Sequence, residues 1–395
     1  MKQVKVGLVG SGFISTIHAE SLKRVAGAEL FAVTSPTPGK AAAFAARHGA
    51  RHAFTDLDRF LASEVEMIVL GCPNDLHADV TEAAAKAGKH VVCEKPLALT
   101  LAECDRMIAA CRKAGVQLMY AEELCFTPKY VRMKKLLDEG ALGRPYLVKQ
   151  AEKHDGPHSP WFWDVARSGG GVTMDMGCHA IEFFRWMLGK APGQRPWSES
   201  VDVARQTQTH ETPLHEGIVP LKKPEAVSVL AEMGTLVHGD KTRGDDNAIL
   251  HVRFKTDEGE VLGMAEESWT KKGGMDDTAE IHGTAGVSYG DLHMGNAIVT
   301  YSDRGYGYAV EKAGITKGWS FCTFEELWNY GFPQEFEHFV DCVANEKEPL
   351  ETGEDGRAVL EILLAAYASA GTGRRVALPF KSDAKRPIDL WRPGA

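Results

Sequence analysis

Over the first 120 residues short apolar runs alternate with amphipathic segments, and no other feature restricts the fold of this chain as much. Val4 to Val9, Glu29 to Val33, Met67 to Leu70, His90 to Cys93 and Val116 to Tyr120 are strand-like in length and content. Ser15 to Arg24, Gly39 to His48, Leu76 to Ala87 and Thr100 to Ala114 carry helical periodicity. Helices between successive strands require crossover connections, which predicts an α/β unit with a doubly wound parallel sheet.

The alternation stops near Glu123. Thr127 to Glu139 reads as a connecting helix, and Asp175 to Leu188 as another. After Trp197 come strand patterns divided by Gly and Asp, with hairpin chemistry at Asp257-Glu258-Gly259. Residues 189 to 225 look like a surface excursion, and helical patterns at Pro333 to Asn345 and Asp355 to Ala370 close the chain. The expectation is a unit over 1–124 followed by an α+β unit over 125–395. The second would be built on a large, mainly antiparallel open sheet, its last helix packing back on the first unit. A chain of 395 residues is long enough for two cores.

A formal charge of −9 without any basic stripe argues against a nucleic-acid partner. Met1-Lys2-Gln3 runs straight into a strand pattern, and no apolar run approaches membrane-spanning length. The eight cysteines form no CxxC pair. Buried free thiols in a reducing cytoplasm, with no membrane association, are therefore expected.

Val6-Gly7-Leu8-Val9 leads into Gly10-Ser11-Gly12-Phe13-Ile14-Ser15. The first two glycines match the dinucleotide fingerprint and Ser15 replaces the third. Gly10 permits a tight strand-to-helix turn, Gly12 lets the backbone approach a pyrophosphate, and the next helix N-terminus offers amides. After the second strand, Val33-Thr34-Ser35-Pro36-Thr37 has no acid for the ribose hydroxyls of NAD. It also has no arginine for the 2′-phosphate of NADP, so both cofactors stay open.

The stretch "HVVCEKPLAL", His90 to Leu99, places Glu94, Lys95 and Pro96 at the mouth of a buried strand. Ligands of doubly wound sheets bind at those carboxyl ends, where an ammonium can stabilise charge developing on a substrate oxygen. Asp175 and His179 are four apart, which on one helix puts them on the same face. Histidine titrates near neutrality and suits proton abstraction from a hydroxyl. Gly169-Gly170-Gly171 just upstream suggests close approach of backbone to a ligand.

With "LGCPNDLHADV", "CEKPLALT" and "GGGVTMDMGCHAIEFFRW", the chain resembles the glucose–fructose oxidoreductase / inositol dehydrogenase / MocA family over essentially its whole length. The resemblance implies a Rossmann unit and catalysis by Lys95, His179 and Asp175. It implies cofactor contacts from Gly10, Gly12, Phe13, Ile14, Ser35, Cys72, Pro73, Asn74, His77, Glu94, Lys95 and Glu123. Substrate contacts would come from Lys95, Asp175 and His179, with His154, His158, Trp161 and Trp163 of "KHDGPHSPWFWD". That loop suits a sugar or cyclitol ring equally as well as simple aromatic packing. His154, His158 and Asp175 lack any recognised metal-ligand spacing, so no metal is expected. Many members carry His-Asn and then Arg after the sixth strand, facing the nicotinamide pocket; Glu122-Glu123 and Cys125 stand here instead.

The activity expected is hydride transfer between NAD or NADP and a secondary hydroxyl of a sugar, glycoside or inositol, by a homo-oligomer. The alternative is redox-assisted glycoside cleavage, in which the hydride returns. A non-catalytic sugar or nucleotide sensor fits the intact Lys95, Asp175 and His179 less well.

Overall fold

Met67–Leu70 is apolar at all four positions and fully enclosed, as a parallel strand covered on both faces must be. The computed structural model describes residues 3–199, 218–294, 297–303, 317–323 and 325–394. The chain begins β1 (Val4–Val9), α1 (Phe13–Leu22), β2 (Ala28–Thr34), α2 (Lys40–His48), β3 (His52–Phe54) and α3 (Leu57–Leu61). It continues with β4 (Met67–Leu70), α4 (His77–Lys86), β5 (His90–Glu94), α5 (Leu101–Ala114) and β6 (Leu118–Ala121). All six strands pair in parallel in the order β3-β2-β1-β4-β5-β6. The order reverses between β1 and β4, and a ligand crevice opens at such a switch point.

A second layer system follows: α6 (Pro128–Asp138), β7 (Pro145–Lys153), α7 (Val165–Ser168), α8 (Val172–Asp175) and α9 (Gly177–Met187). Next come β8 (Glu225–Gly234), β9 (Asn247–Thr256), β10 (Gly259–Ser268), β11 (Asp276–Gly283) and β12 (Val287–Asp291). The hairpin β13 (Ala297–Ser302) and β14 (Gly318–Thr323) precedes α10 (Glu326–Tyr330), α11 (Phe332–Asn345), α12 (Gly353–Thr372) and β15 (Val376–Ala377). Seven strands form one sheet in the order β12-β11-β7-β10-β9-β8-β15. Every pair in it is antiparallel except β7 with β10. The β9–β10 turn falls at Asp257-Glu258, as its hairpin chemistry indicates.

All eleven residues of α9 are buried, because the helix lies between this sheet and α12. Thr352 and Asp355 cap α12 reciprocally, and Gly356 then brings its backbone against Leu97 and Tyr120. Lys223, where the surface excursion returns, bonds Glu182 of α9 at 2.7 Å and Glu351 and Asp355 beside α12 at 2.9 and 3.0 Å. These contacts hold the helix that bears His179 against the first sheet. Residues 200–217 of the excursion lie outside the described residues.

Two details depart from expectation. The short β3 and α3 were absent from the periodicity, and the expected helix from Asp175 to Leu188 is broken at Met176. At that break Lys95 Nζ donates to the Asp175 carbonyl at 2.9 Å, while His179 N turns to Met176 O at 3.0 Å. The ammonium has taken the acceptor that a continuous helix would use for His179 N.

Candidate active site

The cavity at the switch point holds about 930 Å³ of open space, counting its mouth. Its floor is made by the residues that follow β1, β4, β5 and β6; α8, α9 and the 157–162 loop close it from the other layer. The two glycines of the turn serve different ends. Gly10 has φ +114°, and a Cβ on it would meet Gly71 O at 2.5 Å, so the fold itself requires glycine. Gly12 has φ −90°, and a Cβ there would meet nothing within 4 Å. Neither packing nor backbone conformation demands glycine at 12. The open space beside the α1 N-terminus fits the close approach of a pyrophosphate.

Lys95 follows β5 and reaches Asp175 Oδ1 at 3.0 Å in addition to the carbonyl. Burial opposes its charge, but the Asp175 carboxylate, with Cys178, Glu123 and Glu152 acting the same way, holds the ammonium pKa well above the ordinary lysine value. Asp175 is fixed from its other side by Trp269 Nε1, 3.1 Å from Oδ2. Glu94 does not pair with the ammonium of its neighbour. Its Oε1 lies 2.9 Å from His18 Nε2, and its Oε2 accepts the Lys95 backbone N–H at 3.1 Å. Burial would raise the Glu94 carboxyl, yet the hydrogen bond from His18 leads a set of contacts that holds it low. Glu94 therefore braces the backbone at Lys95.

His179 Nδ1 lies 2.6 Å from Glu122 Oε1, both groups buried. Nε2 has no hydrogen bond among the described residues, and the ring lines the cavity. Burial, with the Lys95 charge acting the same way, pushes the imidazole down to about 4, so the ring is neutral near neutrality. Burial likewise pushes the Glu122 carboxyl well above the usual range. A neutral imidazole oriented at Nδ1 by a carboxyl group and open at Nε2 is equipped to exchange a proton with a ligand hydroxyl.

Of the residues singled out in the sequence, Gly12, Phe13, Ile14, Cys72, Asn74, Glu94, Lys95, Glu123, His158, Trp161, Asp175 and His179 line this one cavity. His158 stacks on Phe13 with ring centroids 3.9 Å apart, joining the two layers at the mouth. The others lie elsewhere. Ser35 is buried at the end of β2, and His77 bridges the carbonyls of Cys72 and Pro96 at 3.1 and 3.0 Å. Gly10 and Pro73 are outside the lining, as are the fully buried His154 and the half-buried Trp163, which packs edge-on against Trp269 and His238. Cys125 is buried beside a separate cavity that includes Lys134 and Trp186. The glycine run also has a different use from the one expected. Added Cβ atoms would strike Tyr367 Oη at Gly170 and Asp245 O at Gly171, so these glycines serve internal packing. Glu152 and Trp269 join the site from strands far along the chain, without any local motif to mark them.

A Rossmann sheet with a free glycine approach, a lysine at the switch point and a buried acid–base pair defines a dinucleotide-binding oxidoreductase. Residues 4–122 match the model described as oxidoreductase family, NAD-binding Rossmann fold, and residues 130–288 match the GFO/IDH/MocA C-terminal domain. The chain belongs to the Gfo/Idh/MocA family. Similar curated proteins include myo-inositol 2-dehydrogenase of Thermotoga maritima, 26% identical over 95% of this chain and 98% of that one. Levoglucosan dehydrogenase of Pseudarthrobacter phenanthrenivorans is 29% identical over 72% of this chain and 73% of its own. Among solved structures, GenD2 from gentamicin A biosynthesis, in complex with NAD, superposes with a TM-score of 0.81 at 29% identity. That match covers 96% of this chain and 97% of that one.

Proposed function

We propose that this chain oxidises a secondary hydroxyl of a sugar, glycoside or cyclitol, with NAD or NADP as the hydride acceptor. The observation that carries this reading is the convergence of Lys95 Nζ and the open Nε2 of His179 on one cavity beside the Gly12 approach. The names of the inositol and levoglucosan dehydrogenases support the substrate class. Gly12, Phe13, Ile14 and Cys72 would hold the cofactor, which would supply the hydride acceptor. His179 Nε2 takes the hydroxyl proton. Glu122 holds Nδ1–H so that the lone pair stays on Nε2, the arrangement a base of this kind requires. Lys95 donates a hydrogen bond to the same oxygen as negative charge develops there. Asp175 fixes the ammonium in place, held in turn by Trp269. One hydride leaves the carbon and one proton leaves the oxygen, so the product is a ketone.

The Ser35-Pro36-Thr37 stretch carries no group that selects either cofactor. An aromatic row on the second sheet, exposed at Tyr146 and Tyr289 with half-buried His282 between them, supports a homo-oligomer, which light scattering measures. Sugars, glycosides and inositols assayed with both cofactors test the activity itself. Reduced nicotinamide appearing with a keto product is the expected result, and its absence across the panel would sink the proposal.

A further inference from the structure

The charge balance of the cavity wall goes beyond a generic sugar site. Among the described residues four carboxylates, Glu94, Glu123, Glu152 and Asp175, line it, and Lys95 is the only lysine or arginine. Two of the four are accounted for: Glu94 by His18 and the Lys95 amide, Asp175 by Lys95 and Trp269. The other two are not.

Glu152, on β7, is 5% exposed. Its Oε2 is shut off from solvent with no hydrogen-bond partner, and neither of its carboxylate oxygens is bonded by any described residue. The neighbours that bear on it, apart from Lys95, are themselves acids: Asp277, Glu267 and Glu123. Glu123 opens the short turn after β6. Its Oε2 comes no nearer than 3.8 Å to His179 Nδ1, a nitrogen already engaged by Glu122. Glu122 and Glu94 crowd it with like charge, and Lys95, which attracts it, is committed to Asp175.

Leaving buried carboxyl groups without partners is costly, and a wall of this kind persists where a ligand completes it. We propose that the substrate is an amino-substituted carbohydrate or cyclitol, whose protonated amine is received by Glu123 and Glu152 while the hydroxyl to be oxidised lies on Lys95 and His179. This rests on the oxidoreductase reading above and specifies its substrate class. An ammonium presents three donors and one positive charge, which is what two unpaired carboxylates lack; a hydroxyl presents a single donor and no charge. Trp161, in the same lining, offers an aromatic face to the rest of the ring.

A linked signature follows. Burial pushes the Glu123 carboxyl up to about 8, so it holds a proton in the ligand-free protein near neutrality, and burial pushes the Glu152 carboxyl in the same direction. An arriving ammonium favours their ionised forms, and binding then releases protons.

The test uses the full-length enzyme with its nicotinamide cofactor. Paromamine, 2-deoxystreptamine and glucosamine are compared with their N-acetylated counterparts and with scyllo-inositol and glucose. Turnover is followed by nicotinamide absorbance, and binding to the reduced-cofactor complex by calorimetry in two buffers of different ionisation enthalpy. At least one free amine should be preferred over its acetylated counterpart by about tenfold or more, a charge-assisted hydrogen bond's worth, and its binding should release protons. Glu152→Gln and Glu123→Gln, checked for folding by melting temperature, should shrink that preference to about twofold, and Glu152→Asp should recover part of it. If no amine binds or turns over better than its neutral counterpart, the proposal is overturned. Oxidation of neutral sugars in that case would leave the dehydrogenase reading standing, whereas no nicotinamide reduction with any compound would count against that reading instead.

Discussion

Replacing Glu122 by glutamine tests the proton path at its least familiar point. The side chain keeps its size and can still touch His179 Nδ1, now across a bond of 2.6 Å in the parent, but it cannot carry charge. A hydrogen bond to an ionised partner contributes about 1.5–3 kcal/mol. At about 1.4 kcal/mol per tenfold, its loss should lower kcat/KM for alcohol oxidation about 10- to 150-fold. The pH dependence is the sharper readout. Burial raises the Glu122 carboxyl and lowers His179 to about 4, so of the two groups Glu122 holds a proton the more tightly. Loss of that proton leaves a carboxylate against Nδ1–H and makes Nε2 the stronger base. Oxidation should therefore rise with pH along a limb set above the ordinary carboxylate range, and ketone reduction should fall over the same limb. Glu122→Gln removes the ionisation and should flatten both, whereas Glu122→Asp should keep a weakened limb. Rates are measured in both directions from pH 5 to 10. A glutamine variant with parental kcat/KM and an unchanged limb would mean that Glu122 does not govern the base.

Lys95→Ala should cost about a hundredfold or more in kcat while cofactor binding, followed by fluorescence titration, stays near the parent's; near-normal turnover would refute its role. Gly12→Val should fold normally, since a side chain there meets nothing, yet lose nicotinamide binding; retained affinity would mean the turn is purely structural. The ligand-free protein should lose stability as pH rises from about 4.5 through about 8. The Glu123 carboxyl is raised from 4.5 to about 8 by burial, so the folded chain keeps a proton that the unfolded chain has already lost. The stabilisation this gives is full below about pH 4.5 and fades as pH climbs through 8. Denaturant titrations should show a loss of about 1 kcal/mol from this group between pH 7 and 8, absent in Glu123→Gln; an identical slope in that variant would contradict the assignment.

Periodicity made the parallel sheet legible because β4 is buried and apolar throughout, and β1 and β5 are so except at Lys5, His90 and Glu94. The β9–β10 hairpin was legible because its turn is local. The three-residue β3 and five-residue α3 carry too little pattern to register. The parallel pairing of β7 with β10 joins segments more than a hundred residues apart, which no local signal encodes. At the site, Lys95, Asp175 and His179 could be named from motifs, but the helix break that turns the Asp175 carbonyl to Lys95 arises from a contact across 80 residues. The same holds for Glu122 with His179, for Trp269 with Asp175 and for the placing of Glu152. Gly169-Gly170-Gly171 misled because a glycine run reads alike whether a ligand or Tyr367 and Asp245 come close.

The central claim is net hydride transfer, and counting hydrides tests it most directly. The enzyme is given a substrate it turns over, a glycoside included, in deuterated water with limiting cofactor, and reduced nicotinamide, ketone and released aglycone are quantified together. One reduced nicotinamide per ketone, with no aglycone, is the predicted result. Aglycone accumulating over many turnovers with deuterium in the sugar and no net reduction of nicotinamide would contradict it, and would identify a glycoside-cleaving cycle in which the hydride returns.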